Sequence, residues 1–84
     1  MNNIDKPVVI TGGAGFIGTN LAARLLEKGH RIIIVDNLSR SGSQRNLQWL
    51  FDKYSNLLQV NICDIRDSYK MSEIIKMAGT VFHF

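Results

Sequence analysis

The sequence has a single cysteine in 84 residues, which excludes an internal disulfide framework and every multi-cysteine metal pattern. The lone Cys63 fits a reducing compartment. No apolar run approaches the ~18 residues of a membrane span, so no membrane partner is expected. No block of like charge occurs either. The ten Lys and Arg residues are scattered from Lys6 to Lys76 with a formal net charge of +3, so no nucleic-acid stripe is expected despite the basic balance. The opening "MNNIDKPVVI" lacks a charged segment followed by a long apolar one, and a cytoplasmic protein is the expectation. The only proline, Pro7, stands at the head of an apolar run, the edge position that a strand tolerates.

What the chain does have is glycine in one place. Gly12, Gly13, Gly15 and Gly18 follow directly on "PVVIT", a β-branched run read as a buried strand. Each glycine in regular structure costs roughly 0.5–1 kcal/mol relative to alanine, so a cluster needs a reason.

The remaining elements come from periodicity. After the glycines, Ile17, Leu21 and Leu25 recur four apart with Ala22 and Leu26 beside them, a helix that Gly29 ends. Arg31 to Asp36 is a continuously apolar strand, as strands covered on both faces are. Asn37 to Ser43 is a polar loop in which Ser41 or Ser43 would cap a helix carrying Leu47, Leu50, Phe51 and Tyr54 on its core face. Asn56 to Cys63 contains a third strand. Asp67 or Ser68 caps a third helix with core residues Met71, Ile74, Ile75 and Ala78, which Gly79 ends. Thr80 to Phe84 begins a fourth strand. The order βαβαβαβ predicts an α/β fold with a parallel sheet and right-handed crossovers. Four strands and three helices leave half of a doubly wound sheet without cover, so residues 1–84 are expected to form the N-terminal part of a longer protein.

Gly13-Ala14-Gly15-Phe16-Ile17-Gly18 is G-x-G-x-x-G between a strand and a helix, the context that dinucleotide binding requires. An early glycine permits the tight turn, a middle one lets a pyrophosphate approach the backbone, and Gly18 lets the helix pack closely on the sheet. The first-turn amides of that helix point at the anion. No Gly-Lys-Ser/Thr follows, which excludes a P-loop. Asp36 ends the second strand 18 residues after Gly18, where an acidic residue binds the adenosine ribose hydroxyls. It also repels a 2′-phosphate, by about 4 kcal/mol for like charges ~4 Å apart at an effective dielectric of ~20, which favours NAD over NADP. Arg40 acts in the other direction, since an arginine near this loop can pair with a 2′-phosphate. In "CDIRD", Asp64 could accept from the adenine amino group, and Asp67 is read as a cap. An adenosylmethionine-binding methyltransferase shares a glycine-rich turn, but the TGGAGFIG spacing and the Asp36/Asp64 pair disfavour it.

"TGGAGFIG" resembles the T-G-x-x-G-x-x-G pattern of the extended short-chain dehydrogenase/reductases, the NAD-dependent sugar epimerase/dehydratase family. "DNLSRSGSQRNLQWL", "DIRD" and "VFHF" continue the match, which covers nearly all of residues 7–84. The resemblance implies a Rossmann-type, doubly wound NAD-binding domain. It implies that the backbone around Gly12, Gly15, Phe16, Ile17 and Gly18 holds the pyrophosphate. Asp36, Asn37, Leu38, Ser39 and Arg40 would surround the ribose, Asp64 and the Ile65 backbone would meet the adenine, and Phe84 would lie against the cofactor. It further implies a nucleotide-sugar substrate, transient hydride transfer to NAD and, for the full-length protein, a homo-oligomer. Cys63 departs from the small residue, such as glycine, that relatives often carry there. The family's Tyr-x-x-x-Lys pair is missing: Leu58 stands four residues after Tyr54, and Glu73 four after Tyr69. His30 and His83 are read as structural. The expectation is a cofactor-binding half without catalytic residues, inactive alone, with a non-catalytic dinucleotide-binding module as the reading from another class.

Overall fold

A computed structural model describes residues 6–84. The chain runs β1 (Val8–Thr11), α1 (Phe16–Glu27), β2 (Ile32–Asp36), α2 (Ser43–Tyr54), β3 (Leu58–Ile62), α3 (Ser68–Met77) and β4 (Thr80–His83). The four strands form one parallel sheet in the order β3-β2-β1-β4. The predicted succession of elements, βαβαβαβ, and the parallel sheet hold throughout. Two successive steps move outward from β1, and the third returns across it to β4. That return places α3 on the opposite face from α1 and α2, as uniform crossover handedness requires.

The cores follow from strand alternation. Ile10, Ile32 and Ile34 point to one face and pack with Ala22, Leu26, Leu47, Leu50 and Leu58. Val9, Ile33 and Val35 point to the other and pack with Ile74. Both faces of β2 are therefore apolar, which explains its uninterrupted run "IIIVD".

Four local expectations are corrected. The face of α1 that meets the sheet is Gly18, Thr19, Ala22 and Leu26, while Ile17 is 65% exposed. Small residues line that face because the helix approaches the strands closely. Phe51 and Ile75 are exposed, and Leu47, Leu50 and Ile74 carry their helices' buried contacts. Neither Ser41 nor Ser43 caps α2: Gly42 holds the N-cap position with φ +87° and no side-chain cap bond. For α3 the cap is Asp67, which accepts from the Lys70 amide at 3.2 Å. Gly29 follows α1 with φ +90°, the left-handed C′ position expected of it.

Candidate functional site

Strand order reverses between β1 and β4, and open α/β sheets bind ligands beyond the carboxyl ends of strands at such a point. A cleft lies there, lined by Gly12, Val35, Asp36, Asn37, Ser39, Arg40, Cys63, Ile65 and Phe84. Seven of these are residues that the sequence marked for the cofactor.

The glycine turn divides into positions required by the protein itself and one that is not. Gly12 has φ +70°, and a Cβ there would lie 3.1 Å from the Phe84 carbonyl oxygen, so the turn needs glycine to seat the end of β4. A Cβ on Gly13 would meet the Ile34 side chain at 2.8 Å. On Gly18 it would meet the Gly12 carbonyl oxygen and the Gly13 Cα at 2.7 Å, backbone atoms with no room to yield. Gly18 therefore serves helix packing, as predicted, and does not line the cleft. Gly15 differs. Its φ is −75°, and a Cβ would find only ordinary contacts, with the Gly12 carbonyl oxygen at 3.4 Å and an Arg40 guanidinium nitrogen at 3.5 Å. Internal packing does not demand a glycine there.

Gly15 is also the N-cap of α1. No side chain caps this helix and its first turn contains no acid. The first-turn amides thus face outward with the positive end of the helix dipole. Phe16 and Ile17 supply backbone here while their side chains, 79% and 65% exposed, point away from the core. The missing side chain, the free amides and the nearby Arg40 fit a pyrophosphate.

Asp36 is 9% exposed at the end of β2. Its Oδ2 accepts from the Ala14 amide at 3.1 Å and its Oδ1 from the Leu38 amide at 2.7 Å. Each oxygen retains a lone pair, so the carboxylate can still accept from ribose hydroxyls. The loop after it is shaped by such bonds. Asn37 Oδ1 accepts from the Ser39 amide at 3.1 Å, and Leu38 takes φ +58° with its side chain packed against the larger core. Leu38 therefore contributes loop geometry, and its neighbours Asn37, Ser39 and Arg40 line the cleft.

Asp64 lies apart from the lining. Arg66 grips its carboxylate through Nε at 3.0 and 3.1 Å and Nη2 at 2.6 Å, and the Arg66 amide donates at 2.8 Å. These bonds hold the Asp64 carboxyl down at about 2. Cys63 and Ile65 form the wall at that end of the cleft. His83, beside the cleft at the end of β4, shares a hydrogen bond between its Nδ1 and the Thr11 hydroxyl that ties β4 to β1.

Two positioning residues escaped the sequence reading. Asn46 Nδ2 donates to the Ala14 carbonyl at 2.7 Å, and the Thr19 hydroxyl donates to the Gly13 carbonyl at 3.1 Å. Both brace the glycine turn from helices. Only their spacing to the turn in three dimensions identifies them.

The GDP-mannose 4,6 dehydratase family model matches residues 9–84. CDP-paratose 2-epimerase of Salmonella typhi is 41% identical over 78 residues, covering 90% of this chain and 22% of that protein. UDP-arabinose 4-epimerase 1 of Arabidopsis thaliana is also 41% identical, over 81 residues, covering 92% of this chain and 19% of that protein. The chain thus spans about a fifth of the length of these relatives. Among solved structures, a UDP-glucose 4-epimerase from Stenotrophomonas maltophila with bound NAD and formylated UDP-arabinopyranose superposes with a TM-score of 0.79 at 28% identity, over 94% of this chain and 24% of that one. On the match of 76 of its 84 residues to the family model, the chain belongs to the GDP-mannose 4,6 dehydratase family, a Rossmann-fold family whose relatives include nucleotide-sugar epimerases.

Proposed function

We propose that this chain is the NAD-binding part of a nucleotide-sugar epimerase. The observation that carries the reading is Gly15: a glycine that internal packing does not require, at the uncapped, acid-free start of α1 and beside Arg40. The α1 amides and Arg40 would hold the pyrophosphate, Asp36 with Asn37 and Ser39 the adenosine ribose, and the Cys63–Ile65 wall the adenine. Asp64 would offer its carboxylate to the adenine amino group, and Phe84 would lie against the cofactor. Bound NAD supplies a hydride acceptor that can return the hydride to the opposite face of a sugar carbon. Residues 1–84 contribute binding and orientation to that chemistry and contain no Tyr-x-x-x-Lys pair, so they are inactive alone.

Within the family we assign a CDP-tyvelose 2-epimerase-like substrate class, supported by the Asp36-Asn37-Leu38-Ser39-Arg40 loop and by the CDP-paratose 2-epimerase relative. A nucleotide-sugar dehydratase is the second reading, favoured by the description of the matching family model. We propose a cytoplasmic homo-oligomer as the working form. The test is calorimetric titration of the protein with NAD, NADP and adenosylmethionine, followed by turnover of CDP- and UDP-sugars. NAD is expected to bind tightest. Preferential binding of adenosylmethionine would sink the cofactor assignment, and sugar turnover by residues 1–84 alone would sink the division of labour.

A further inference from the structure

β3 is an edge of the sheet, and no other strand among the described residues pairs its outer side. The ladder to β2 fixes which groups face out. The Ile32 amide donates to the Leu57 carbonyl and the Cys63 amide to the Asp36 carbonyl, so Leu57, Gln59, Asn61 and Cys63 turn their main chain toward β2. Leu58, Val60 and Ile62 therefore present their N–H and C=O groups outward. Such edges are commonly blunted by lysine, proline or a bulge. Leu58–Ile62 contains no charge and no proline, and it pairs with β2 residue for residue.

The strand is also complementary to itself. Leu58-Gln59-Val60-Asn61-Ile62 reads apolar, amide, apolar, amide, apolar about Val60. Leu58 and Val60 pack into the α2-side core, while Gln59 and Asn61 line a cleft on the α3 side. Antiparallel pairing with a second copy, about a two-fold axis at Val60, sets Val60 opposite Val60 and Leu58 opposite Ile62. Each of these pairs exchanges both its N–H···O bonds. The same register sets Asn61 of one copy opposite Gln59 of the other, at the closer, non-hydrogen-bonded positions. Asn61 supplies an independent observation: its Nδ2 is buried and has no hydrogen-bond partner among the described residues. A buried donor without an acceptor is costly, and the Gln59 carboxamide oxygen of a second copy would supply one. Ile62, Tyr69 and Met77 rim the same cleft and are 62%, 75% and 48% exposed, so pairing there also covers apolar surface.

We propose that the β3 edge is a self-association surface, at which a second copy of this chain pairs β3 with β3 and continues the sheet across a two-fold axis. The proposal rests on the homo-oligomeric working form and on no part of the cofactor assignment.

The test is sedimentation equilibrium of the wild type, of Ile62→Pro and Ile62→Lys, and of the control Ile75→Lys at an exposed isoleucine that does not line this cleft. Ile62→Pro removes an amide that the sheet of one copy does not use, which is where an edge strand tolerates proline. Reversible, concentration-dependent dimerisation is expected of the wild type, weakened at least about tenfold by both Ile62 variants and unchanged by Ile75→Lys. A second arm keeps the proposal testable if the Ile62 variants fold poorly. In a Cys63→Ser background, Gln59→Cys and Asn61→Cys proteins are oxidised separately and as a mixture. Only the mixture should give a disulfide-linked dimer, because the register brings position 59 of one copy to position 61 of the other. A wild type that is monomeric at every concentration overturns the proposal together with the homo-oligomer. Undiminished association of folded Ile62 variants, or no cross-link specific to the mixture, overturns the proposal and leaves the homo-oligomer to another surface. NAD binding enters neither arm, so its loss would remove the cofactor assignment and leave this surface standing.

Discussion

The Ala14 amide donates to Asp36 Oδ2 at 3.1 Å, so the residue proposed to read the ribose also fastens the turn proposed to hold the pyrophosphate. With Leu38 donating to Oδ1, one buried carboxylate organises both loops of the cleft. Replacing it therefore acts twice. Asp36→Ala leaves two amides without their charged acceptor, at about 1–3 kcal/mol in stability. It should also weaken NAD at least tenfold, since hydrogen bonds to charged groups contribute roughly 1.5–3 kcal/mol each. Denaturant unfolding and calorimetry on the same variant check the two effects, and unchanged NAD affinity would remove Asp36 from the site.

The glycines should separate into two classes. Gly18→Ala puts a methyl 2.7 Å from backbone atoms of the turn and should destabilise the fold by about 1–3 kcal/mol. Gly15→Ala meets only ordinary contacts and should keep stability within about 1 kcal/mol, its lost chain entropy offset by a poorer N-cap. NAD affinity should nevertheless fall at least tenfold in Gly15→Ala, because the methyl occupies the approach to the α1 amides. Normal binding by a stable Gly15→Ala protein would show that the pyrophosphate lies elsewhere.

The element order, the glycine turn and the acid at the end of β2 are legible because each rests on local pattern: alternating elements, a motif between strand and helix, and an acid at a strand end. What was hidden depends on distance of approach. Counting periods put Ile17 on the α1 core face, yet the contact of Gly18 with the turn sets the helix rotation and turns Ala22 and Leu26 inward. Phe51 fits the α2 period, but Leu47 and Leu50 already cover the sheet there. Asn46 lies 32 residues from Ala14, and no spacing rule predicts that bond. The uncapped start of α2 was misread because serine is a common cap, whereas Gly42 occupies the position in a conformation that suits glycine.

The Asp64–Arg66 pair gives a pH dependence with a definite sign. The Asp64 carboxyl is lowered from 3.8 to about 2 by the Arg66 side-chain and backbone hydrogen bonds. A carboxyl lowered on folding adds stability above its unfolded value and loses it as pH falls through the folded one. The contribution should thus be intact above pH 4 and disappear toward pH 2, and it should shrink in salt because the pair is exposed. Arg66→Gln should return the Asp64 titration toward 3.8, as followed by carboxyl NMR. If adenine is read by Asp64, the same variant frees the carboxylate and should tighten NAD rather than weaken it.

Asn46 is the most direct test of whether the turn must be braced to bind. Its amide reaches the Ala14 carbonyl at 2.7 Å while the Ala14 amide is held by Asp36, so one peptide residue is fixed at both ends from α2 and β2. Asn46→Ala leaves that carbonyl unpaired, at about 1–3 kcal/mol where water cannot replace the bond. Asn46→Asp is worse, since it turns a carboxylate toward a carbonyl and adds negative charge beside the proposed pyrophosphate site. NAD affinity should therefore fall in the order wild type, Asn46→Ala, Asn46→Asp, with the aspartate variant recovering partly as pH falls and its carboxyl gains a proton to donate. Equal affinity in the two variants would mean that the bond only stabilises the fold. A graded loss with pH recovery would mean that the turn binds because Ala14 is held still.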